Sequence, residues 1–470
     1  MGRGGDMLDR VRAESSPGRA IPAVAPPRTD GPDSPEPAAP HCPVEEIEDA
    51  LVDGDRSFAP GSARAALRHP TFRRVFYGSF LSNIGSWMQN VVLGALAYDL
   101  SGSPTFVGIV LFAQLGPLLL LSIVGGALAD TIDRRRLLVT VSASQLVLSF
   151  ALAAVVTPDD PDKVTLVAVV FAIGVGQAFF NPAYSAMLPQ LVGHRDLPGA
   201  IALHSAQMNG SRVVGPAIGG LLFAALGAPA VFVVNGISYL FVIASLLTVH
   251  LPPPVTHADT VRGIRRLGAG LAVARRDPVV GRCLVTVFTF SLASLTFVGQ
   301  FPVVAERNLG IDGDSAAYGV LYGCLGAGAV IGALSIGTVF SRRSKPAIVP
   351  VALVAYAVAL AVFALVRVPA VAYPVVLVVG LTYFAFITSL STVLQADLRD
   401  HERGGVMALW IMGFGGTVPI GNLLAGPVIE ATSITAVMLV GAAVALGLAL
   451  YSRPRPARPG AIADLDHLAA

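Results

Sequence analysis

Apolar runs of about twenty residues, separated by short polar breaks, fill the chain from about residue 75 to residue 451. Each run has the length a helix needs to cross ~30 Å of hydrocarbon. The pattern predicts twelve membrane helices, near 75–98, 105–128, 137–156, 164–187, 199–225, 230–250, 280–304, 316–340, 347–366, 371–396, 405–429 and 433–451. The longest break between spans follows the sixth. Pro252-Pro253-Pro254 ends that helix. Arg262 to Arg276 then reads as a basic amphipathic helix lying on a membrane surface.

That break divides the chain into two six-span halves, and the halves repeat. Ser185 to Leu203 aligns without gaps on Ser391 to Leu409, and in the same register Gly215 falls on Gly421 and Gly220 on Gly426. The fold expected is therefore an all-α membrane protein of two pseudo-symmetric six-helix bundles, 61–250 and 280–452, joined by a loop at 251–279. Residues 1–60 are rich in Pro, Ala, Gly, Asp and Glu, as in Pro32-Asp33-Ser34-Pro35-Glu36-Pro37. Such a segment buries too little apolar surface to offset its ordering entropy, and a disordered tail is expected. No apolar stretch follows Arg10 or Arg12, so it does not read as a signal peptide, and Met7 is an alternative start. Ser62 to Arg74 forms a basic lead-in suited to an anionic headgroup layer. Residues 453–470 form a second tail.

Composition supports this architecture. Charged residues make up 13% and apolar residues 54%, against about 25% charged in soluble domains. The net charge of +2 says little about partners; the placement of charge says more. With the amino terminus inside, the inner breaks hold Arg134 to Arg136, Arg195, the arginines of 262–282, Arg342, Arg343, Lys345, Arg399 and Arg403, whereas the outer breaks hold only Lys163, Arg307 and Arg367. The asymmetry of about five to one places both termini in the cytoplasm. Cys42, Cys283 and Cys324 are too scattered for a disulfide framework or a metal site.

The second and third spans are joined by Gly125-Gly126-Ala127-Leu128-Ala129-Asp130-Thr131-Ile132-Asp133-Arg134-Arg135-Arg136. Gly126, Leu128, Ala129, Asp130, Arg134 and Arg135 resemble the loop signature of the major facilitator superfamily. Thr131 stands where that signature has a basic residue, and Asp133 where it has glycine. In span five, Asn209-Gly210-Ser211-Arg212-Val213-Val214-Gly215-Pro216-Ala217-Ile218-Gly219-Gly220 resembles the antiporter signature of exporters in that superfamily, with Ser211 in place of a glycine. Phe180-Asn181-Pro182-Ala183-Tyr184 onward and Ser82-Asn83-Ile84-Gly85-Ser86-Trp87-Met88-Gln89 are similar to stretches of enterobactin-exporter and macrolide-efflux relatives. The resemblance covers residues 70 to 452. It implies a multi-pass plasma-membrane exporter, expected to act as a monomer, that exchanges a small drug-like compound or siderophore for protons. A gate is also expected, in which Asp130, oriented by Arg134 and Arg135, meets the amino end of span eleven at Gly404 and Gly405, a carboxylate drawn to a helix N-terminus. The arginine that many proton-coupled exporters carry in span four is absent.

The residue types suggest where transport chemistry would sit. Gly215, Gly219 and Gly220 let another helix approach closely, and Pro216 removes a backbone donor. Arg212 falls near the middle of its span, where a charge needs a cavity or a partner. Asp99, Gln89, Asn90, Gln114, Gln177, Asn181, Gln207 and Trp410 are candidates for the cavity or for coupling, with interhelical glue as the plainer role for each amide. No phosphate-cradling loop, nucleophile elbow, catalytic carboxylate pair or metal spacing appears, so neither an enzyme nor a cofactor or nucleic-acid partner is expected. Two other functions use the same scaffold: a non-transporting sensor or assembly factor, which would need a folded soluble region, and an uptake transporter, against which the span-five glycines argue.

Overall fold

The computed structural model describes residues 61–452, apart from 132, 159 and 250–263, with backbone alone at 120, 122–131, 264–266, 400 and 401. The tails expected at 1–60 and 453–470 lie outside the described residues, and so does the first part of the central loop, 251–263. Every described regular element is helical. They are α1 (Ala63–Arg68), α2 (Pro70–Asp99), α3 (Pro104–Thr131), α4 (Arg134–Val155), α5 (Lys163–Leu247), α6 (Ile264–Arg276), α7 (Pro278–Ala293), α8 (Thr296–Gly299), α9 (Phe301–Leu309), α10 (Ala316–Gly337), α11 (Lys345–Leu365), α12 (Pro369–Ala396), α13 (Asp400–Ile411), a π-helical turn at Met412–Gly416, α14 (Thr417–Ala431) and α15 (Ile434–Tyr451). Among the described residues, eight helical segments are long and apolar enough to cross a membrane.

One of those segments is α5, 85 residues long. Gly193 (φ 70°) and Gly227 (φ 77°) break its helical backbone, giving rods at 163–192, 194–226 and 228–247 where three spans are expected. A positive φ costs an L-residue with a side chain energy that glycine does not pay, so glycine sits at both breaks. The expected span at 280–304 is not one rod. It is α7, α8 and α9, with the helix interrupted at Ser294–Leu295 and at Gln300, ahead of Pro302. The expected span at 405–429 carries the π turn in its middle, and Gly413, Gly415 and Gly416 are part of it. Helix-weakening glycines account for that irregularity.

The basic lead-in is more structured than its composition suggests. Ser62 caps α1 through its hydroxyl, which accepts from the Ala65 amide, and Ala66 is fully buried. His69 Nε2 lies 2.8 Å from Asp196 Oδ2, and the Gly61 amide donates to the other carboxylate oxygen at 3.1 Å. The His69 contact holds the Asp196 carboxyl below its usual range. The lead-in is thus tied to the start of the 194–226 rod. Arg134 donates to the Ala186 carbonyl, and Arg135 to the carbonyls of Leu246 and Leu247. The second of these caps the end of α5, where a cation suits the helix dipole.

The internal repeat has a physical counterpart. A Cβ on Gly215 would come 2.5 Å from Trp87 Cβ of α2, and its counterpart Gly421 abuts the Leu292 carbonyl of α7. A Cβ on Gly220 would come 2.5 Å from Gly319 Cα of α10, and its counterpart Gly426 2.6 Å from Thr105 Cα of α3. Equivalent glycines therefore meet equivalent helices: the first span of their own half, then the second span of the other. These two glycine-lined seams bring backbones of the two halves into close approach. The amphipathic α6 packs on the start of α13, where Gly270 meets the Gly405 carbonyl.

Candidate transport site

Arg212 lies on the 194–226 rod, where that rod faces both halves of the chain. Three residues on, Gly215 lets α2 come close, and this places Trp87 beside the arginine. The Arg212 Cζ lies 5.1 Å from the centre of the Trp87 ring and 5.3 Å from that of Phe384 on α12. The Tyr322 and Tyr383 phenols lie within electrostatic reach of it. A Cβ on Gly326 of α10 would stand 2.6 Å from the Arg212 carbonyl, so the backbones cross tightly there. The side chain is half-buried, and its Nε is buried without a hydrogen-bond partner. Among the described residues it forms no hydrogen bond or ion pair. A charge at the centre of a membrane helix costs roughly 2.5–3.5 kcal/mol on insertion scales. Two aromatic faces at about 0.5–2 kcal/mol each offset much of that but accept none of its N–H bonds.

The neighbouring glycines divide between two jobs. Gly215 and Gly219 pack on α2, at Trp87 and Met88. Gly220 and the Pro216 carbonyl face Gly319 of α10. The span-five stretch is therefore a two-sided contact, to its own half on one flank and to the opposite half on the other.

The candidate amides fall into separate groups. Gln89 is buried and accepts from Asn235 Nδ2 at 2.8 Å and from the Ser149 hydroxyl at 3.2 Å, which links α2, α4 and α5. Gln177 reaches the Tyr239 hydroxyl at 3.5 Å. Gln114 donates to Asn90 Oδ1 at 2.5 Å, joining α3 to α2. Asn181 is exposed and Gln207 is buried, with neither of its amide atoms partnered. Trp410 is buried and stacks on Phe414, at 6.5 Å between centres. The structure thus brings Arg212 together with the aromatic wall, while most of the amides knit the first half. The Asp130 side chain and the surroundings of Gly126 lie outside the described residues; the backbone of both is helical toward the end of α3.

The sequence reading missed a set of contacts at the opposite end of the spans. Glu430, at the end of α14, accepts from the Ser103 hydroxyl at 2.5 Å and from the Thr105 amide at 3.3 Å, and so caps the N-terminus of α3. These donors hold its carboxyl below the usual range, Ser103 most of all. Arg307 Nε donates to the Tyr98 hydroxyl at 2.8 Å, and Gln300 donates to the Pro104 carbonyl at 3.0 Å. Every one of these bonds ties residues 98–105 to the second half of the chain. The available signal was the register: Glu430 follows Gly426 by four residues, so it continues the face that meets α3.

Asp99 is exposed and closes α2 at this same end. Among the described residues, no cluster of His, Cys, Asp and Glu is arranged to hold a metal ion.

The chain matches the transmembrane secretion effector family over residues 61–463. It is 26% identical to the multidrug efflux pump Tap of Mycolicibacterium fortuitum over 387 residues, which is 78% of this chain and 90% of that one. It is 24% identical to the enterobactin exporter EntS of Shigella boydii over 352 residues, covering 73% and 81%. Among solved structures, the nucleoside transporter NupG superposes with a TM-score of 0.67 at 13% identity, covering 81% of this chain and 98% of that one. That last likeness establishes the fold.

Proposed function

The chain belongs to the transmembrane secretion effector family of the major facilitator superfamily, and on that premise we propose that it exports a small amphiphilic molecule in exchange for protons. It is a multi-pass membrane transporter, not an enzyme. Its relatives include an enterobactin exporter and a multidrug efflux pump, so the cargo proposed is a siderophore or a drug-like compound. Twelve spans follow if α2 and α3 join the apolar segments and α5 counts as three. The basic residues then put both termini in the cytoplasm and the Glu430 end outside. The protein works as a monomer in the plasma membrane.

The observation that carries this reading is Arg212, a guanidinium without a polar partner where a ring from each half meets it. A transporter that rocks its halves around a mid-membrane site needs polar chemistry there. The Glu430 contacts and the two glycine seams hold the outer end closed in this state. Opening that end while the inner end closes would move Arg212 from one solvent to the other. Asp130 is proposed to steady the inner end against span eleven.

Inverted vesicles test the proposal. With an acidic interior they should accumulate a fluorescent amphiphile and release protons as they do so. Arg212→Lys keeps the charge but loses the planar fork; it should fold and transport about tenfold more slowly, and Arg212→Ala should be as slow or slower. Accumulation that ignores an uncoupler would remove proton exchange. Accumulation confined to right-side-out vesicles would reverse the direction, and wild-type rates in both variants would remove Arg212 from the path.

A further inference from the structure

We infer that Arg212 is the anchoring point of an anion subsite, and that the protein selects molecules joining a carboxylate or similar planar anion to an aromatic body. The inference rests on the exporter reading and narrows it to a chemical class of cargo.

Three observations converge. The first is the state of the guanidinium itself. Its Nε is buried without a partner, and the residue keeps partial exposure, so the accessible part of the side chain is the end of the fork. An arginine stays protonated at any physiological pH, so it cannot relieve its burial by losing charge. Among the described residues nothing supplies the acceptor it needs.

The second is what surrounds it. Trp87 from the first half and Phe384 from the second offer ring faces to the cation. Ring faces screen the charge and leave the N–H donors unused. The ligand geometry that best matches an unused guanidinium fork is a planar two-oxygen anion bound through parallel hydrogen bonds.

The third is the wall beyond. Tyr383 lies 4.7 Å from Phe384 and 6.4 Å from Phe414, and Phe414 stacks in turn on Trp410. A row of rings beside an anion anchor suits an aromatic or similarly flat apolar body, with offset or edge contacts to the wall. A cationic amphiphile would find the rings but would meet Arg212 as a like charge.

The chain has two tryptophans, Trp87 and Trp410, and both belong to this arrangement. Their emission therefore reports on the site. The full-length protein, purified in a nonionic maltoside detergent so that no anionic lipid competes, is titrated with 2-naphthoate and with its neutral isostere 2-naphthamide at neutral pH. Wild-type protein should bind the carboxylate at least about tenfold more tightly than the amide, the lower range of a charge-assisted hydrogen bond. Arg212→Gln should bring the ratio to within about twofold, with the larger loss on the carboxylate, since the charged pairing is gone. If Arg212→Gln does not elute as a monodisperse peak, Arg212→Lys decides: carboxylate affinity should fall several-fold and amide affinity should hold, because the point charge remains but the fork is gone. Equal affinity for the two probes in the wild type, or a carboxylate preference that survives loss of the arginine, overturns the inference. Proton-driven accumulation in vesicles would still stand in that case, so failure here is separable from failure of the exporter reading.

Discussion

Substituting Gly426 by alanine tests whether the seam between α14 and α3 is a moving gate. The added Cβ would stand 2.6 Å from Thr105 Cα and 2.9 Å from the Pro104 carbonyl oxygen, both backbone atoms that cannot rotate away. Carbon atoms pack best at about 3.5–4.0 Å, so the two helices must part by about 1 Å or the chain must bend. Overpacking of this kind costs about 1–3 kcal/mol. If the seam forms only while the outer end is closed, the whole cost falls on that state, and its population against the open state drops about 5- to 150-fold. Parting the helices also draws Glu430 away from Ser103. Spin labels at Asp160→Cys and Val368→Cys, introduced in a protein whose native cysteines are replaced by serine and which is held in nanodiscs, report the separation of the halves at that end. The expected result is a longer and broader distance distribution in Gly426→Ala, with slower export and little loss of thermal stability. An unchanged distribution with a lowered melting temperature would refute the reasoning. It would mean the seam persists in every state and Gly426 serves static packing.

Other outcomes follow from the same geometry. Glu430→Gln keeps the shape of the outer latch and removes its charge; since one exposed charge at a helix N-terminus contributes about 0.3–1 kcal/mol, the same labels should show the open population rise about two- to fivefold. The Glu430 carboxyl is held below its ordinary range, so the latch is complete at neutral pH and weakens only as pH falls through and below that range; labels that report opening between pH 8 and pH 6 would show that another group controls this end. Asp130→Asn should favour the state open to the cytoplasm and slow export at near-normal expression, and wild-type vesicle rates would remove it from the gate. Deleting residues 1–60 should leave insertion and transport intact, as scored by membrane yield and vesicle uptake, because the described residues begin their own cap at Ser62.

Periodicity revealed the spans because a bilayer imposes one length on every crossing. It could not reveal that the 280–304 run is three short helices, since Ser294, Leu295 and Gln300 leave hydropathy intact while breaking the backbone. The register of the internal repeat did locate contacts: Gly215, Gly220, Gly421 and Gly426, aligned by sequence, each meet the helix their counterpart implies. Arg212 stood out because a lone charge in an apolar run is costly. Its neighbours did not, because Trp87 and Phe384 are about three hundred residues apart, and aromatic residues in apolar runs carry no individual mark. Glu430 escaped for a related reason. At a span end a carboxylate is ordinary, and its partner Ser103 is on the far side of the chain.

The shortness of the breaks between the three rods of 163–247 has a consequence for how this protein tolerates change. Most helical transporters can be lengthened between spans, because a loop absorbs added residues. Between 163 and 247 the helix resumes directly after each glycine, so a residue inserted inside a rod turns everything up to the next break by about 100°. A single codon added near residue 205 would rotate the upstream part of that rod away from its neighbours or carry Arg212 off the Trp87 face. Epitope tags and natural length variation should therefore be excluded from this stretch and be accepted at 156–162 or 366–369, where the chain leaves the helix. The glycine breaks set three crossings end to end with almost no slack, so the residue count of each rod in the second half of the first bundle is in effect a mechanical part.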